Sequence, residues 1–103
     1  MRMYIVNAIT PERIDLSKYI EIRDDRPHIR GRRLPVIFIA AAERENQLSI
    51  SDLAYQFTLS EEQVLAALLY YREHKAEMDA QDAEDTRQSE ELHQRYASKP
   101  GQQ

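Results

Sequence analysis

One helix-start pattern occurs twice in this chain, eleven residues apart, and it constrains the fold more than any other feature. Each copy places a serine, first Ser49 and then Ser60, at an N-cap position flanked by two apolar residues that are spaced for a hydrophobic staple. In the second copy, Gln63 also completes a capping box with Ser60. Two helix starts this close require a short first helix and a turn of about three residues, so the pattern predicts a helix-turn-helix.

A third helix and a pair of strands are predicted upstream. Pro35 fits the first position of a helix, because proline lacks the backbone N–H that would be unbonded there, and we predict a helix from about Pro35 to Glu45. Residues 19–23 alternate apolar and charged side chains, which indicates a half-buried strand. After a turn, residues 28–30 are expected to pair back as a second strand. The apolar residues 3–9 are expected to form a further strand or an arm on a neighbour.

The chain changes character after residue 75. Residues 76–98 are rich in charged residues and alanine, a composition that tolerates a helix but cannot build a core. We therefore predict one domain over residues 1–75, with an acidic tail over residues 76–103 that is either a solvated helix or a segment that orders on binding. The large apolar side chains that could anchor this tail are Met78, Leu92 and Tyr96.

The composition excludes several classes of function. The 103-residue chain has no cysteine, so it forms neither a disulfide nor a zinc–thiolate site. No apolar run nears the roughly 18 residues of a membrane span, and the start of the chain lacks a signal peptide's apolar stretch, so we expect a cytoplasmic protein with no membrane partner. The net charge is −4, but residues 1–38 carry +3 and residues 39–103 carry −7, which suits either intramolecular pairing or two different partners.

The polar residues give no sign of an enzyme. The three histidines, His28, His74 and His93, do not have the spacing of metal ligands. Ser49 and Ser60 are explained as helix caps, and the chain has no glycine-rich phosphate loop. We therefore predict a protein that is not an enzyme and that needs no metal or cofactor.

The helix after Ser60 is apolar on more than one side. Its first stripe has the spacing i, i+3, i+4, i+7 and is expected to face the core; it consists of Val64, Ala67, Leu68 and Tyr71. A second face is the candidate dimer interface, and its residues are Leu65, Leu69, Tyr70 and Arg72. The N-terminal strands could cover this face within one chain, but we expect a symmetric homodimer, because the core of so short a chain is small.

The start of the same helix argues against the reading of DNA bases. A recognition helix presents its N-terminal residues to the major groove, where Arg, Lys, Asn and Gln make most base contacts. Here those positions hold Glu61 and Glu62, whose carboxylates would repel phosphates but suit the positive end of the helix dipole. Ala66, Tyr70 and Glu73 are expected to continue the outer face. We predict that this helix packs and dimerises but does not read bases.

Four arginines surround Gly31 in the segment before the first predicted helix. They are Arg26, Arg30, Arg32 and Arg33. Guanidinium groups suit phosphate and carboxylate contacts, so three interpretations stay open. The arginines could contact a nucleic-acid backbone, pair with the acidic body or tail of their own chain, or contact an acidic partner protein.

The same segment carries a family resemblance. It resembles the Pro-x-Ile-x-Gly-Thr-Arg-(Ile/Leu)-Pro-Val signature of the bacterial family known as domain of unknown function 433, which is described as antitoxin-like and of the VapB type. The matching residues are Pro27, Ile29, Gly31, Arg33, Leu34, Pro35 and Val36. The helix-turn-helix stretch is also similar to the family's, so the resemblance covers about Tyr19 to Glu77. Arg32 stands where the family has Thr, and Asp24-Asp25-Arg26 stands where it usually has Gly-Gly-Lys.

The resemblance implies a mainly α fold, in which a short N-terminal β-strand pair leads into a homeodomain-like or winged-helix-like three-helix unit with a C-terminal helical tail. It also implies an antitoxin of a toxin–antitoxin pair, with a PIN-type ribonuclease as the toxin. In this hypothesis the tail binds the toxin through Met78, Leu92 and Tyr96, and the arginines around Gly31 contact DNA. The alternative is a protein-interaction or dimerisation module with no nucleic-acid role.

Overall fold

A computed structural model of the chain describes residues 15–97, so the strand or arm predicted over residues 3–9 lies outside the described residues. In chain order the described elements are a 3-10 helix (Leu16–Lys18), strands β1 (Ile20–Arg23) and β2 (Arg26–Ile29), and helices α1 (Val36–Asn46), α2 (Ile50–Phe57), α3 (Glu61–Glu73) and α4 (Lys75–Ala97). The mainly α fold with an N-terminal strand pair and a C-terminal helix is thus confirmed. No helix among these residues is long and apolar enough to cross a membrane.

The two strands form an antiparallel hairpin with a two-residue turn. Arg23 pairs with Arg26, which leaves Asp24 and Asp25 at the tip with φ angles of 52° and 62°. Positive φ at both central residues is what a type I′ turn requires, and its twist matches that of the flanking strands. Because this turn needs only two residues, β2 begins at Arg26 and not at His28, where the sequence placed it.

Helix α1 begins one residue later than predicted. Pro35 has a φ of −64° and a ψ of 141°, so it is the extended N-cap residue and not the first helical residue. A bridge to His28 holds Pro35 in this extended conformation, and the N–H of Ile29 donates to the carbonyl of Leu34. The segment around Gly31 therefore folds back onto the hairpin before the helix starts.

The helix-turn-helix has the predicted caps. Ser49 Oγ accepts a hydrogen bond from the N–H of Asp52 at 3.1 Å. Ser60 and Gln63 form the complete capping box, with bonds of 3.1 and 2.8 Å. Three residues separate α2 from α3, and the first of them, Thr58, ends α2 in the left-handed conformation. The local sequence pattern therefore located both helix starts correctly.

The core lies where the hairpin and helices α1, α2 and α3 meet. Its fully buried large side chains are Ile29, Val36, Ile39, Leu53 and Val64. The whole predicted stripe of α3 is buried, from Val64 to Tyr71. Ala66 is also buried, so its predicted place on the solvent face of α3 is wrong.

Helix α4 runs on from α3 after a break of one residue. His74 interrupts the helix with a φ of −123° and a ψ of 29°, and α4 then continues for 23 residues. Met78 reaches the core and is 5% exposed. Every described side chain from Asp82 to Tyr96 is exposed, so most of α4 extends beyond the packed body as a solvated helix.

Candidate functional site

We call residues 26–33, which carry the four arginines around Gly31, the basic segment, and its first arginine is bound to α4. Arg26 donates from Nη2 to Asp85 Oδ1 at 2.9 Å and from Nε to Asp85 Oδ2 at 3.3 Å. The hydrogen bonds to Asp85 raise the pKa of Arg26 above its ordinary value. This pair joins the hairpin to the acidic helix, so Arg26 has the intramolecular partner that one interpretation of the sequence proposed.

The second and third arginines also make contacts within the chain. Arg30 donates to the carbonyls of Ser17 at 2.7 Å and Ile20 at 3.2 Å, and it lies 3.6 Å from Glu21. Arg32 donates to the carbonyls of Phe57 and Thr58, both at 3.0 Å. The last carbonyls of a helix lack intrahelical partners, so Arg32 caps the C-terminus of α2.

Arg33 is the exception in the basic segment. Its side chain is exposed and makes no hydrogen bond or ion pair within residues 15–97. It lines an open cleft together with Arg23, Asp24 and His28. Contact of the basic segment with nucleic acid stays a prediction, and of the four arginines Arg33 is the one whose guanidinium the described fold leaves available.

The start of α3 presents carboxylates to solvent, as the sequence predicted. Glu61 and Glu62 are both exposed in the first turn. Glu61 also accepts a hydrogen bond from Ser51 Oγ at 2.8 Å, which ties the start of α3 to α2. These contacts fit a helix start better than a surface that approaches phosphates.

The residues predicted for a dimer interface have different environments. Leu65 is 53% exposed, whereas Leu69 and Tyr70 are half-buried. Tyr70 stacks on His74 with ring centroids 4.2 Å apart, and Arg72 pairs with Glu43 of α1 at 3.2 Å. Dimerisation through this face stays a prediction.

A polar network fixes the first turns of α4 to the body. The Tyr71 hydroxyl donates to Asp79 at 2.8 Å, and Lys75 Nζ donates to the same carboxylate at 2.7 Å. Arg44 of α1 donates to the Tyr71 oxygen at 3.2 Å. The hydrogen bond from Lys75, and then that from Tyr71, lowers the pKa of Asp79. The direction in which α4 leaves the body is therefore set by side chains from three helices.

The face of α4 that buries Met78 in the core and binds the hairpin through Asp85 continues past the body. At 3.6 residues per turn, six residues lie within about 40° of one line along the helix: Met78, Asp82, Asp85, Ser89, Leu92 and Tyr96. We call this line the contact face, and its last three residues, Ser89, Leu92 and Tyr96, the distal stripe. Leu92 is 47% exposed and Tyr96 is 51% exposed.

The charged residues of the distal part of α4 lie on the sides and back of the helix, away from the contact face. Arg87 is half a turn away from the contact face, and it pairs with Glu84 at 2.7 Å and with Glu91 at 3.5 Å. The distal stripe itself contains no charged residue. The outer half of α4 is thus a helix with one charged side and one uncharged side that carries a leucine and a tyrosine.

A groove lies between the hairpin, the start of α1 and α4. We call it the hairpin groove; it has a volume of about 350 Å³. Its apolar walls are Pro27, Pro35, Ile37, Phe38 and Met78, and its polar lining is Asp24, Arg26, His28, Gln81, Asp82 and Asp85. Phe38 is 58% exposed, so an aromatic ring stands at the rim of this groove.

The sequence identifies the apolar residues of the tail but not the groove. The groove is lined by residues from separate elements of the fold. Arg26 and Asp85, the ion pair at its edge, are 59 residues apart in the chain. One local signal was available. Val36, Ile39 and Ala40 have the core spacing of α1 and are buried, which leaves Phe38 off the buried stripe of that helix.

Comparison with protein families gives one match. A family model described as "Protein of unknown function (DUF433)" matches residues 18–71, just over half of the chain. The match covers the hairpin and helices α1 and α2 and ends within α3, so α4 lies outside it. No curated protein and no solved structure matches the chain.

Proposed function

The chain belongs to the domain of unknown function 433 family, and on that premise we propose that it is an antitoxin-like adaptor that binds a partner protein through helix α4. One observation carries this proposal: the contact face of α4 continues past the body as the distal stripe. A helix that extends from its domain with an exposed uncharged stripe has the form of a helix that lies in a partner's groove.

The residues of the stripe suit a protein interface. Aromatic residues are enriched and charged residues depleted at the centre of such interfaces, and a few apolar anchors supply most of the binding energy. Leu92 and Tyr96 are one helical turn apart on the same line. The charged residues of the distal half lie on the sides and back of the helix. They would therefore stay in water at the rim of an interface centred on the stripe.

The charge of α4 indicates the chemistry of the partner. The helix contains three Lys or Arg residues against seven Asp or Glu residues, so a basic protein surface is complementary to it. The family resemblance implies a PIN-type ribonuclease toxin. An acidic helix laid across the basic entrance of a ribonuclease would block access of the RNA phosphates.

The basic segment supports a protein partner more than DNA as the principal ligand. Arg26, Arg30 and Arg32 donate to oxygen atoms of the chain itself. Using them on phosphates would require the loss of these hydrogen bonds. Arg33 is then the main arginine left for a DNA contact. Non-specific DNA binding depends on the neutralisation of several phosphates, and one guanidinium supplies little of it.

Co-purification tests this proposal. The full chain is expressed with the product of the neighbouring gene, a PIN-type ribonuclease in our proposal, and the affinity of the purified pair is measured. We expect Leu92→Asp to weaken binding by about tenfold or more, as for an interface anchor. Gln94→Asp is the matched control, since it adds the same charge to the same turn on the outward side. The failure of the unaltered chain to bind any PIN-type protein would contradict the proposal.

A further inference from the structure

We propose that two copies of this chain associate by placing the distal stripe of each α4 in the hairpin groove of the other. The two α4 helices then run antiparallel and the contact is made twice. The stripe is the one that the proposed function assigns to a partner protein, but this inference concerns the chain alone and is tested without that partner.

The groove and the stripe match in apolar character. The groove presents two prolines, Ile37, Met78 and the exposed ring of Phe38 along one side of α4. The stripe offers Leu92 and Tyr96 on a single line. The rim of the groove and the stripe are exposed in the single chain, and placing one on the other removes apolar area from water, which is favourable.

The charges of the two surfaces are also complementary. Two carboxylates of the groove, Asp24 and Asp82, have no hydrogen bond or ion pair within the described residues. Asp85 is already neutralised by Arg26. The distal end of α4 carries Arg95 beside the stripe and has no carboxylate side chain after Glu91. The cationic end of one helix therefore meets the acidic groove of the other copy.

The helix is long enough to make both contacts at once. Met78, which lines the groove, and Tyr96, at the end of the stripe, are 18 residues apart, or about 27 Å along the helix at 1.5 Å per residue. In an antiparallel pair, Tyr96 of one copy comes opposite Met78 of the other. The same relationship then holds in reverse, which is the condition for a two-fold symmetric contact.

Most charges of α4 stay outside this contact. Arg87 with Glu84 and Glu91 lies on the side away from the contact face. The repulsion between two acidic helices is therefore reduced where they approach each other. Because a partner protein would use the same stripe, partner binding and this self-association exclude one another.

Engineered cysteines test the pairing directly, since the chain contains none. The variants Phe38→Cys and Tyr96→Cys are purified separately, and both altered positions are exposed, at 58% and 51%, so the fold is expected to persist. We expect an equimolar mixture to form a 38–96 disulfide about tenfold or more faster than either variant alone, because pairing raises the effective concentration of the two thiols.

Tyr96→Cys alone is the matched control. In an antiparallel pair, position 96 of one copy lies about 27 Å from position 96 of the other, far beyond the Cα separation of about 4.4–6.8 Å that a disulfide allows. Light scattering gives a second readout: Leu92→Asp should reduce the mass of the dimer to the 12.1 kDa of one chain, and Gln94→Asp should not. Equal cross-linking in the mixture and in Tyr96→Cys alone, or an unaltered chain that is monomeric by light scattering together with no 38–96 disulfide in the mixture, would overturn the inference.

Discussion

The guanidinium of Arg26 binds the carboxylate of Asp85 with two hydrogen bonds, of 2.9 and 3.3 Å, across 59 residues of chain. This is the one ion pair among residues 15–97 that joins the hairpin to α4. Both side chains are partly exposed, so the pair orients the helix more than it stabilises the fold.

Breaking this pair should loosen α4 without unfolding the domain. In Arg26→Ala, we expect amide hydrogen exchange in residues 82–97 to speed up several-fold, since the distal helix loses its hold on the hairpin, while exchange in α1 and α3 stays unchanged. The double variant Arg26→Asp with Asp85→Arg restores the opposite charges and should recover slow exchange. Faster exchange across the whole domain in Arg26→Ala would show a different, global role for the pair.

Core and surface leucines should differ sharply in their effect on stability. Leu53 is fully buried, so Leu53→Ala should lower the free energy of unfolding by about 2–5 kcal/mol. Leu65 is 53% exposed, and Leu65→Ala should change it by no more than about 0.5 kcal/mol. Urea denaturation at two protein concentrations measures both values. The dimer predicted through α3 would make the effect of Leu65→Ala larger and dependent on protein concentration, so a large effect that does not change with concentration would contradict the exposed position of Leu65.

The capping box should make a measurable contribution to stability. In Ser60→Ala, the N–H of Gln63 loses its acceptor, and the free energy of unfolding should fall by about 1 kcal/mol. Thermal denaturation followed by circular dichroism measures this loss, with Thr86→Ala on exposed α4, outside the distal stripe, as the control. A Ser60→Ala variant as stable as the unaltered chain would mean that α3 is positioned by packing alone.

Acid should loosen the base of α4 through Asp79. Its pKa is lowered by the hydrogen bonds from Lys75 and Tyr71, so the ionised carboxylate stabilises the folded state. This contribution is fully present above the ordinary pKa of 3.8 and is lost as the pH falls through the lowered folded value. Asp79→Asn should therefore reduce the loss of stability between neutral pH and about pH 2. If the free energy of unfolding of Asp79→Asn fell with pH as steeply as that of the unaltered chain, Asp79 would not be the source of the acid sensitivity.

Any binding to nucleic acid should depend on Arg33 before the other arginines. We expect Arg33→Gln to weaken a low-salt gel shift while leaving stability unchanged, because this side chain has no partner in the described fold. Arg32→Gln should instead destabilise the end of α2, where Arg32 binds two carbonyls. A shift that survives Arg33→Gln but is abolished by Glu61→Gln with Glu62→Gln would point to α3 as the DNA-reading element.

Local signals in the sequence predicted the parts of this fold that are determined locally. The two serine caps and the apolar spacing of α3 located the helix-turn-helix. The alternation around Ile20 located β1. Two boundaries were wrong by one or two residues. The bridge from His28 holds Pro35 extended, so α1 begins one residue later than predicted. The hairpin turn contains only two residues, so β2 begins at Arg26, two residues earlier than predicted.

The candidate site was less accessible to sequence reasoning. Leu92 and Tyr96 could be named because large apolar residues are rare in the tail. The internal partners of the arginines could not be named, because Asp85 comes near Arg26, and the carbonyl of Phe57 near Arg32, only after the chain has folded. The hairpin groove likewise exists only when the hairpin, α1 and α4 meet.

The decisive measurement is hydrogen exchange of the chain, diluted until it is monomeric, with and without the PIN-type ribonuclease that we propose as its partner. We expect binding to protect the amides of residues 86–97, around the distal stripe, while those of residues 61–73 in α3 and 26–33 in the basic segment exchange as before. Protection confined to α3 or to the basic segment, with residues 86–97 unaffected, would contradict the assignment of α4 as the partner-binding helix.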